Sequence, residues 1–291
     1  MILNIYLRGE YLTTFSLKIL ALVFMIIDHI GLFFPLAPVW FRYIGRLSAP
    51  IFIFCMVTGF SYTRNKKVYL LRMYLFGLGM GILDYILNCF ANGDIINNNI
   101  FVTLFCIGVI IRLIEYKREN HPKFKTYLLC YCVWQVVGLF VCFYVDIYFD
   151  NMIFLFTGFM GNMFFNEGGF IFVSLGVIFY FIKDNKKYIA IYYSLFCFLY
   201  SFITMAGIVP RIISRLDYYD YDILFYILRF IFPLLGFHVI GIDRYSIQWM
   251  MIGALPFILL YNGEKGKSMK YFFYIFYPAH ILIFFILSRV Y

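Results

Sequence analysis

Apolar stretches long enough to cross a membrane recur along the chain from one end to the other. About ten of them approach the 17–25 residues that a helix needs to span a bilayer. Because the connections are short and no linker divides the chain, we predict an all-α, polytopic membrane protein with a single transmembrane domain over residues 1–291. The predicted spans run approximately over residues 17–35, 46–62, 69–91, 98–114, 127–145, 167–182, 188–208, 223–241, 245–261 and 271–289.

Another apolar run, at 152–165, is only 14 residues long. A helix of that length does not reach across the hydrocarbon core, so we predict a re-entrant or interfacial segment there.

Lysine and arginine concentrate in alternate connections. The connections at 62–72, 112–126 and 183–187 are rich in basic residues, whereas those at 92–98 and 146–166 contain none. By the positive-inside rule this alternation predicts that the basic connections, and with them the N-terminus, are cytosolic. The basic loop at 262–270 fits badly, because ten spans place it outside. Either it is an extracytosolic basic loop, or one of the spans near 223–261 does not cross.

The composition agrees with a membrane location, since 64% of the residues are hydrophobic and 13% are charged. A soluble domain is about 45–50% apolar and about 25% charged. The formal net charge of +9 suits cationic loops on an anionic leaflet, so we expect membrane lipids as partners. The scattered basic residues do not predict nucleic-acid binding, and the seven cysteines lack the spacing of a metal site.

The first span carries ionisable residues, Lys18 at one end and the pair Asp28-His29 deep inside. Such groups are costly in hydrocarbon unless they face a partner, a cavity or a substrate. Lys18 and His29 are separated by about three helical turns, roughly 16 Å, and therefore share a face. His29 is a candidate general base; alternatively, His29 and Asp28 only satisfy interhelical hydrogen bonds. Asp28 points about 100° away around the helix, so it need not be the partner of His29.

Arg42 and Arg46 are spaced i, i+4 near the outer end of the second span and share a face. We interpret Arg42 as snorkelling to the interface, and Arg46 as an anion site or a partner for Asp28 or the substrate. Asp84 is an alternative partner for Arg46. His280 is a second intramembrane histidine, close to Pro278, which can kink the last helix.

The cations Arg64, Lys66, Lys67 and Arg72 lie at the cytosolic ends of the second and third predicted spans. Most such clusters only set topology. Together with Lys18 they are also suited to hold the phosphates of a nucleotide-type cofactor.

Several of these residues lie in blocks that resemble the TraX family. One block ends in Phe24-Met-Ile-Ile-Asp-His-Ile-Gly31, and a second is Arg42-Tyr-Ile-Gly-Arg-Leu-Ser-Ala-Pro-Ile-Phe52. The tail is also similar, in Tyr261-Asn-Gly-Glu-Lys-Gly-Lys267 and in the segment from Lys270 to His280. The likeness covers the first quarter and the last eighth of the chain.

The founding TraX protein is associated with N-terminal acetylation of a pilin subunit. The family also looks like a branch of the acyltransferase-3 type of membrane acyltransferase. Those enzymes carry an Arg and a catalytic His eleven residues apart on the first helix, where this chain has Lys18 and His29. Lysine keeps the charge but loses the bidentate fork of arginine.

The resemblance implies an acetyl-CoA-dependent acyltransferase of the bacterial cytoplasmic membrane. His29, with Asp28 beside it, would act on the acceptor, while Arg46 and His280 would orient it or stabilise the oxyanion. The acceptor would be a peptide or pilin N-terminus or a surface glycan. The phosphates of acetyl-CoA would lie near Lys18, Arg64, Lys66, Lys67 and Arg72.

Two other classes of function fit the same residues. Spans with buried Asp, His and Arg also describe a transporter or permease. In a non-enzymatic membrane assembly protein, the polar groups would only specify helix packing.

Overall fold

The computed structural model describes residues 12–91, 96–237, 239 and 247–290. This part of the chain is helical, and its only β-type pairing is an isolated parallel bridge between Leu12 and Tyr261. The all-α prediction is confirmed. The helices are α1 Thr14–Phe33, α2 Trp40–Gly45, α3 Ser48–Ser61, α4 Lys66–Cys89, α5 Ile100–Arg118, α6 Phe124–Tyr148, α7 Met152–Met160, α8 Gly169–Ile182, α9 Lys186–Tyr188, α10 Ser194–Met205, α11 Ile208–Tyr218, α12 Asp222–Leu234, α13 Leu255–Leu259 and α14 Lys270–Val290. A π-helical turn, Ile189–Tyr193, joins α9 to α10, and a 3-10 helix, Ile247–Ala254, precedes α13.

Side-chain caps explain where two of the long helices begin. Thr13 accepts a hydrogen bond from the backbone N–H of Ser16 at the start of α1, and Asn65 does the same for Val68 at the start of α4. Each cap satisfies a backbone donor that the first turn of a helix leaves without an intrahelical partner.

Six helical segments in the described part of the chain are long and apolar enough to cross a membrane. They coincide with the predicted spans that begin at 17, 46, 69, 127, 188 and 271, and they establish a multi-spanning membrane protein. They are Thr14–Phe33, Trp40–Ser61, Lys66–Cys89, Phe124–Tyr148, Lys186–Met205 and Tyr271–Val290.

The other four predicted spans are not confirmed. α5 has 19 residues but carries a cluster of charges toward its end, and α8 has only 14 residues. The region 223–241 contains the 13-residue helix α12, and 245–261 contains a short 3-10 helix followed by the five-residue α13. Sequence hydropathy did not show these breaks, because apolar residues continue through them.

The short apolar run at 152–165 forms α7, which has nine residues and packs against both α4 and α6. Gly81 of α4 faces Gly158 of α7, and a Cβ on Gly81 would come within 2.7 Å of the carbonyl oxygen of Phe154. Only glycine allows this close backbone approach. At about 1.5 Å per residue, α7 is too short to span a bilayer, as predicted.

The structure divides into two compact units. The terminal unit comprises the described residues of Met1–Gly59, Phe181–Pro233 and Phe237–Tyr291, and the central unit comprises those of Phe60–Tyr180 and Leu234–Gly236. The single-domain organisation stays a prediction.

Within the terminal unit, the loop after α13 lies beside the start of α1. The backbone N–H groups of Thr14 and Phe15 donate to the carbonyls of Glu264 and Lys265, and Asn262 N–H donates to the carbonyl of Leu12. The loop at 262–270 is therefore on the same side of the membrane as the start of α1. An even number of crossings then separates the starts of α1 and α14, whereas ten spans require nine, and the six span-length helices need one of the shorter helices to cross as well. Of the two alternatives for this loop, the structure favours a predicted span that does not cross.

This arrangement predicts that Lys267→Cys and Thr13→Cys are labelled from the same side of the membrane. The measurement is modification by a membrane-impermeant thiol reagent in right-side-out and inverted vesicles, with the parent protein as the control for the native cysteines. Labelling of the two positions from opposite sides would contradict the even number of crossings.

Candidate functional site

Asp28, near the end of α1, forms ion pairs with two arginines. Arg42 Nη1 lies 2.9 Å from Asp28 Oδ2, and Arg46 Nη2 lies 2.9 Å from Oδ1. Arg42 also donates to the backbone carbonyl of Asp28, at 3.2 Å. Of the alternatives that the sequence leaves open for Arg46, the structure has the pairing with Asp28. The snorkelling interpretation of Arg42 did not anticipate that it shares the same carboxylate.

The backbone around α2 holds this cluster in place. A Cβ on Gly45 would overlap the side chain of Asp28, so glycine is required for the carboxylate to pack against α2. Arg46 Nε donates to the carbonyl of Arg42, and Arg46 Nη1 donates to Gln248 Oε1 of the 3-10 helix at 3.4 Å. Two guanidinium groups share one carboxylate, which leaves a surplus of positive charge here.

His29, the residue after Asp28, is paired with His280 of α14. His29 Nδ1 lies 2.6 Å from His280 Nε2, and the two ring planes are parallel within 5°. The ring centroids are 4.8 Å apart, which equals the 2.6 Å between the two nitrogens plus about one ring radius on each side. The rings therefore lie edge to edge in a hydrogen bond instead of being stacked face to face. Each histidine is only 4% exposed.

The hydrogen bonds assign the tautomers of a neutral histidine pair. His280 Nδ1 lies 2.9 Å from the carbonyl oxygen of Phe276, which can only accept, so His280 Nδ1 carries the proton. His280 Nε2 then has a lone pair and accepts from His29 Nδ1–H. This leaves His29 Nε2 unprotonated and, among the described residues, without a hydrogen-bond donor. His29 thus has the tautomer of a general base, set by His280 and not by Asp28.

Aromatic rings surround the pair. Phe33 lies edge-on to His29, with 6.4 Å between centroids, while Phe276 and Phe284 lie 5.4 Å and 5.8 Å from His280. An apolar surrounding makes a charged imidazole costly and favours the neutral form described above.

Lys18 lies on the same face of α1 as His29, as predicted. Its Nζ is 5.6 Å from the ring centroid of Phe273, and Phe273 and His280 are both on α14. Lys18 and His29 therefore both contact α14, which runs parallel to α1.

The central unit contains a cationic cavity of about 620 Å³. Three of the predicted phosphate-binding residues line it, and Arg72 does not. Arg72 Nε instead donates to the carbonyl of Val68, and its guanidinium lies over Tyr69. Lys18 belongs to the other unit, so its convergence with these cations stays a prediction. The lining residues are Arg64, Asn65, Lys66, Lys67, Arg112 and Tyr116.

Sequence reasoning missed the part of this cavity that α5 contributes. The sequence indicates only that Arg112 belongs to the basic connection at 112–126, whereas in the structure it lies in α5, lines the cavity and forms an ion pair with Glu115 at 2.9 Å. Glu115 also forms an ion pair with Lys66 of α4. The i, i+3 spacing of Arg112 and Glu115 was the available signal, because residues so spaced are neighbours on a helix.

Asp84, the alternative partner for Arg46, has different contacts in the central unit. It is 1% exposed, and its Oδ2 accepts from the backbone N–H of Asn98 at 3.2 Å. Asn88 Nδ2 donates to the carbonyls of Asp84 and Ile96. These side chains hold the residues before α5 along α4, which is a structural role.

The fold and the terminal-unit site define a class of protein, a multi-spanning helical membrane protein with a buried histidine pair beside an arginine–aspartate cluster. The profile of the family described as TraX protein matches residues 14–288, and the chain belongs to that family. It is also 37% identical over 75 residues to a protein of Dichelobacter nodosus named "Probable fimbrial assembly protein FimC, serogroup H1". That match covers 24% of this chain and 31% of the relative. No solved structure matches the chain significantly.

Substituting Gly45 tests the packing of Asp28. Gly45→Ala should destabilise the protein by about 1–3 kcal/mol, because the added methyl displaces a carboxylate held by two arginines. Gly79→Ala is the control, since its added Cβ meets no described heavy atom within 4 Å in α4. Thermal unfolding in detergent measures both, and a Gly45→Ala protein as stable as the control would contradict this packing.

Proposed function

We propose that this protein is a membrane-embedded acyltransferase that moves an acetyl group from acetyl-CoA to an acceptor amine or hydroxyl. The observation that carries the proposal is the hydrogen-bonded chain from His29 through His280 to the carbonyl of Phe276. A chain of this kind fixes one tautomer of the first histidine, and a general base needs a fixed tautomer because one ring nitrogen must stay unprotonated to accept a proton.

In this mechanism His29 Nε2 accepts the proton of the acceptor amine or hydroxyl. The acceptor's nitrogen or oxygen then bonds to the acetyl carbonyl carbon, and the carbon–sulfur bond breaks. His29 Nε2 returns the proton to the leaving sulfur. The acetyl thioester supplies an activated acyl group, and the protein supplies the base and its orientation.

His280 takes a different role from the one that the sequence suggested. It accepts from His29 Nδ1 and so acts as a positioning residue instead of contacting the acceptor. In a serine hydrolase a carboxylate orients the catalytic histidine. Here a neutral imidazole orients it, without adding a second charge to an apolar site.

Arg46 keeps its predicted role in stabilising negative charge on the reacting carbonyl oxygen. The cluster of Asp28, Arg42 and Arg46 has a surplus positive charge, and fixed positive charge in a site of low dielectric constant favours an oxyanion. Asp28 is the counter-ion that lets two arginines lie together, and it is not the proton acceptor.

The central unit offers a site that fits the phosphates of acetyl-CoA. Arg64, Lys66 and Lys67 line the cationic cavity there, and arginine and lysine are the usual phosphate ligands of proteins. Lys18 stays a proposed phosphate contact. Arg72 contacts Tyr69 outside the cavity lining and is not included in the proposed set.

The acceptor that we propose is a pilin-type peptide N-terminus, with a surface glycan as the other acceptor class. The name of the Dichelobacter relative concerns fimbrial assembly, which supports a bacterial cytoplasmic membrane protein acting on a fimbrial or pilus component.

That relative's name supports a second function equally well, in which the protein assists assembly without catalysis. The buried histidines and arginines would then only specify helix packing. A permease is the remaining alternative. An acyltransferase loses acetyl transfer when His29 is replaced in a folded protein, whereas an assembly protein or a permease has no such activity to lose.

The test uses proteoliposomes, radiolabelled acetyl-CoA and membrane extract from the bacterium that carries this gene as the source of acceptor. His29→Ala should lower acetyl transfer by about 10²–10⁴-fold, the usual contribution of a general base. His280→Ala should lower it less, because His29 remains but loses its fixed tautomer.

Ser214→Ala is the control, since Ser214 is exposed in α11 of the terminal unit and its hydroxyl donates to the carbonyl of Pro210 in the same helix. It should retain full activity. Transfer at the parental rate by folded, membrane-inserted His29→Ala protein would refute the acyltransferase mechanism.

A further inference from the structure

The cationic cavity of the central unit is built by two helix ends. Asn65, Lys66 and Lys67 come from the start of α4, and Arg112 and Tyr116 come from the last turns of α5. The start of a helix carries a partial positive charge, which adds to that of the side chains. With Arg64, which precedes α4, four cationic side chains line this cavity, and together with the start of α4 they outweigh the partial negative charge at the end of α5.

Glu115 links the two helices through these cations. It forms ion pairs with Lys66 and with Arg112, and its side chain is only 12% exposed. Arg112 pairs in addition with Glu119, at 3.2 Å. Both bonds of Arg112 use Nη1, so the two carboxylates share one end of the guanidinium.

Aromatic packing holds Arg112 in a fixed orientation. Its guanidinium carbon lies 4.0 Å from the ring centroid of Tyr116, within the range of a cation–π contact. Tyr116 in turn packs against His121, with 4.5 Å between centroids, and Tyr127, with 5.4 Å. A pre-oriented guanidinium loses little conformational entropy when it binds a ligand.

The charges favour a ligand with more negative charge than a carboxylate. Four lining cations, Arg64, Lys66, Lys67 and Arg112, face two nearby carboxylates, and two positive charges remain uncompensated. A phosphate monoester carries about −1.5 to −2 charges and three strong acceptor oxygens. It can therefore replace Glu115 on Lys66 and Arg112 and also contact the neighbouring cations.

We infer that this cavity is a phosphate-ester site in which Arg112 and Lys66 are the main ligands and Glu115 occupies their donors until the ligand binds. The inference rests on the proposed function for one point only, the identification of the ester with the nucleotide end of acetyl-CoA. The same chemistry is found in a lipid with a phosphate monoester headgroup, phosphatidic acid, and the experiment separates these two sources.

The experiment measures binding of adenosine 3′,5′-bisphosphate, which has the 3′-phosphate and the first 5′-phosphate of CoA but no thioester. Full-length protein is titrated by calorimetry in nanodiscs of zwitterionic lipid. Arg112→Met should weaken binding by about tenfold or more, the loss expected for a charge-assisted phosphate contact. Arg112→Lys should fall between Arg112→Met and the parent, because it keeps the charge but loses the fork.

Arg118→Met is the matched control, on the same helix and with the same change of charge. Arg118 donates to the hydroxyl of Tyr180 and does not line the cavity, so binding should change by about twofold or less, as for a screened surface charge.

Glu115→Gln should strengthen binding several-fold, because it removes the competitor for Lys66 and Arg112. A purely structural Glu115 would lower thermal stability and leave binding unchanged or weaker.

Nanodiscs that contain phosphatidic acid distinguish the two sources, and phosphatidylglycerol, an anionic diester lipid, is the control for membrane charge. If the nucleotide binds equally in all these lipids, the site takes a soluble phosphate ester. If phosphatidic acid abolishes nucleotide binding and the same amount of phosphatidylglycerol does not, the natural ligand is a lipid headgroup. Absence of nucleotide binding, or equal binding by the parent and Arg112→Met, would overturn the inference.

Failure of this inference is distinguishable from failure of the proposed function. Binding of the bisphosphate involves no acyl transfer, so His29→Ala should bind it normally. Normal binding without any acetyl transfer would refute the acyltransferase and leave the phosphate site intact. Acetyl transfer that depends on His29 but is unaffected by Arg112→Met would support the acyltransferase and refute the identification of the ester with acetyl-CoA.

Discussion

The ion pairs of Asp28 with Arg42 and Arg46 are the interaction on which the site of the terminal unit depends. A carboxylate within a membrane-spanning helix is tolerated only when it is compensated, and here two guanidinium groups compensate it at 2.9 Å. The pairs attach the end of α1 to α2, and Gly45 permits the approach. Because the carboxylate is already occupied, it does not orient the histidine next to it.

This division of roles determines what His29 can do. Its partner is another histidine, His280, whose own proton is fixed by a backbone carbonyl. The pair is neutral and lies among aromatic rings, so it costs less in an apolar setting than a histidine–carboxylate pair. Under the proposed function, an unprotonated Nε2 set by neutral groups suits proton transfer, and the same hydrogen bonds also serve a structural pair, so activity and not geometry separates the two.

Local patterns predicted much of the fold and part of the site. Six spans follow from apolar length, and the shared face of Lys18 and His29 follows from helical periodicity. The contact of His29 with His280 joins residues 251 positions apart, which periodicity within one helix does not reveal. The contact of Lys66 with Glu115 also joins two different helices, so helical periodicity did not reveal it either. The ten-span count is not confirmed for another reason, since hydropathy does not register helix breaks inside apolar sequence.

The protonation of His29 tests the central claim most directly, namely that this residue presents an unprotonated Nε2. Nitrogen-15 NMR of histidine-labelled protein in lipid, with His29→Ala used to assign its signals, distinguishes the two neutral tautomers. The account predicts that the His29 proton is on Nδ1 and that this signal changes in His280→Ala. A proton on Nε2 of His29, or a tautomer that does not depend on His280, would contradict it.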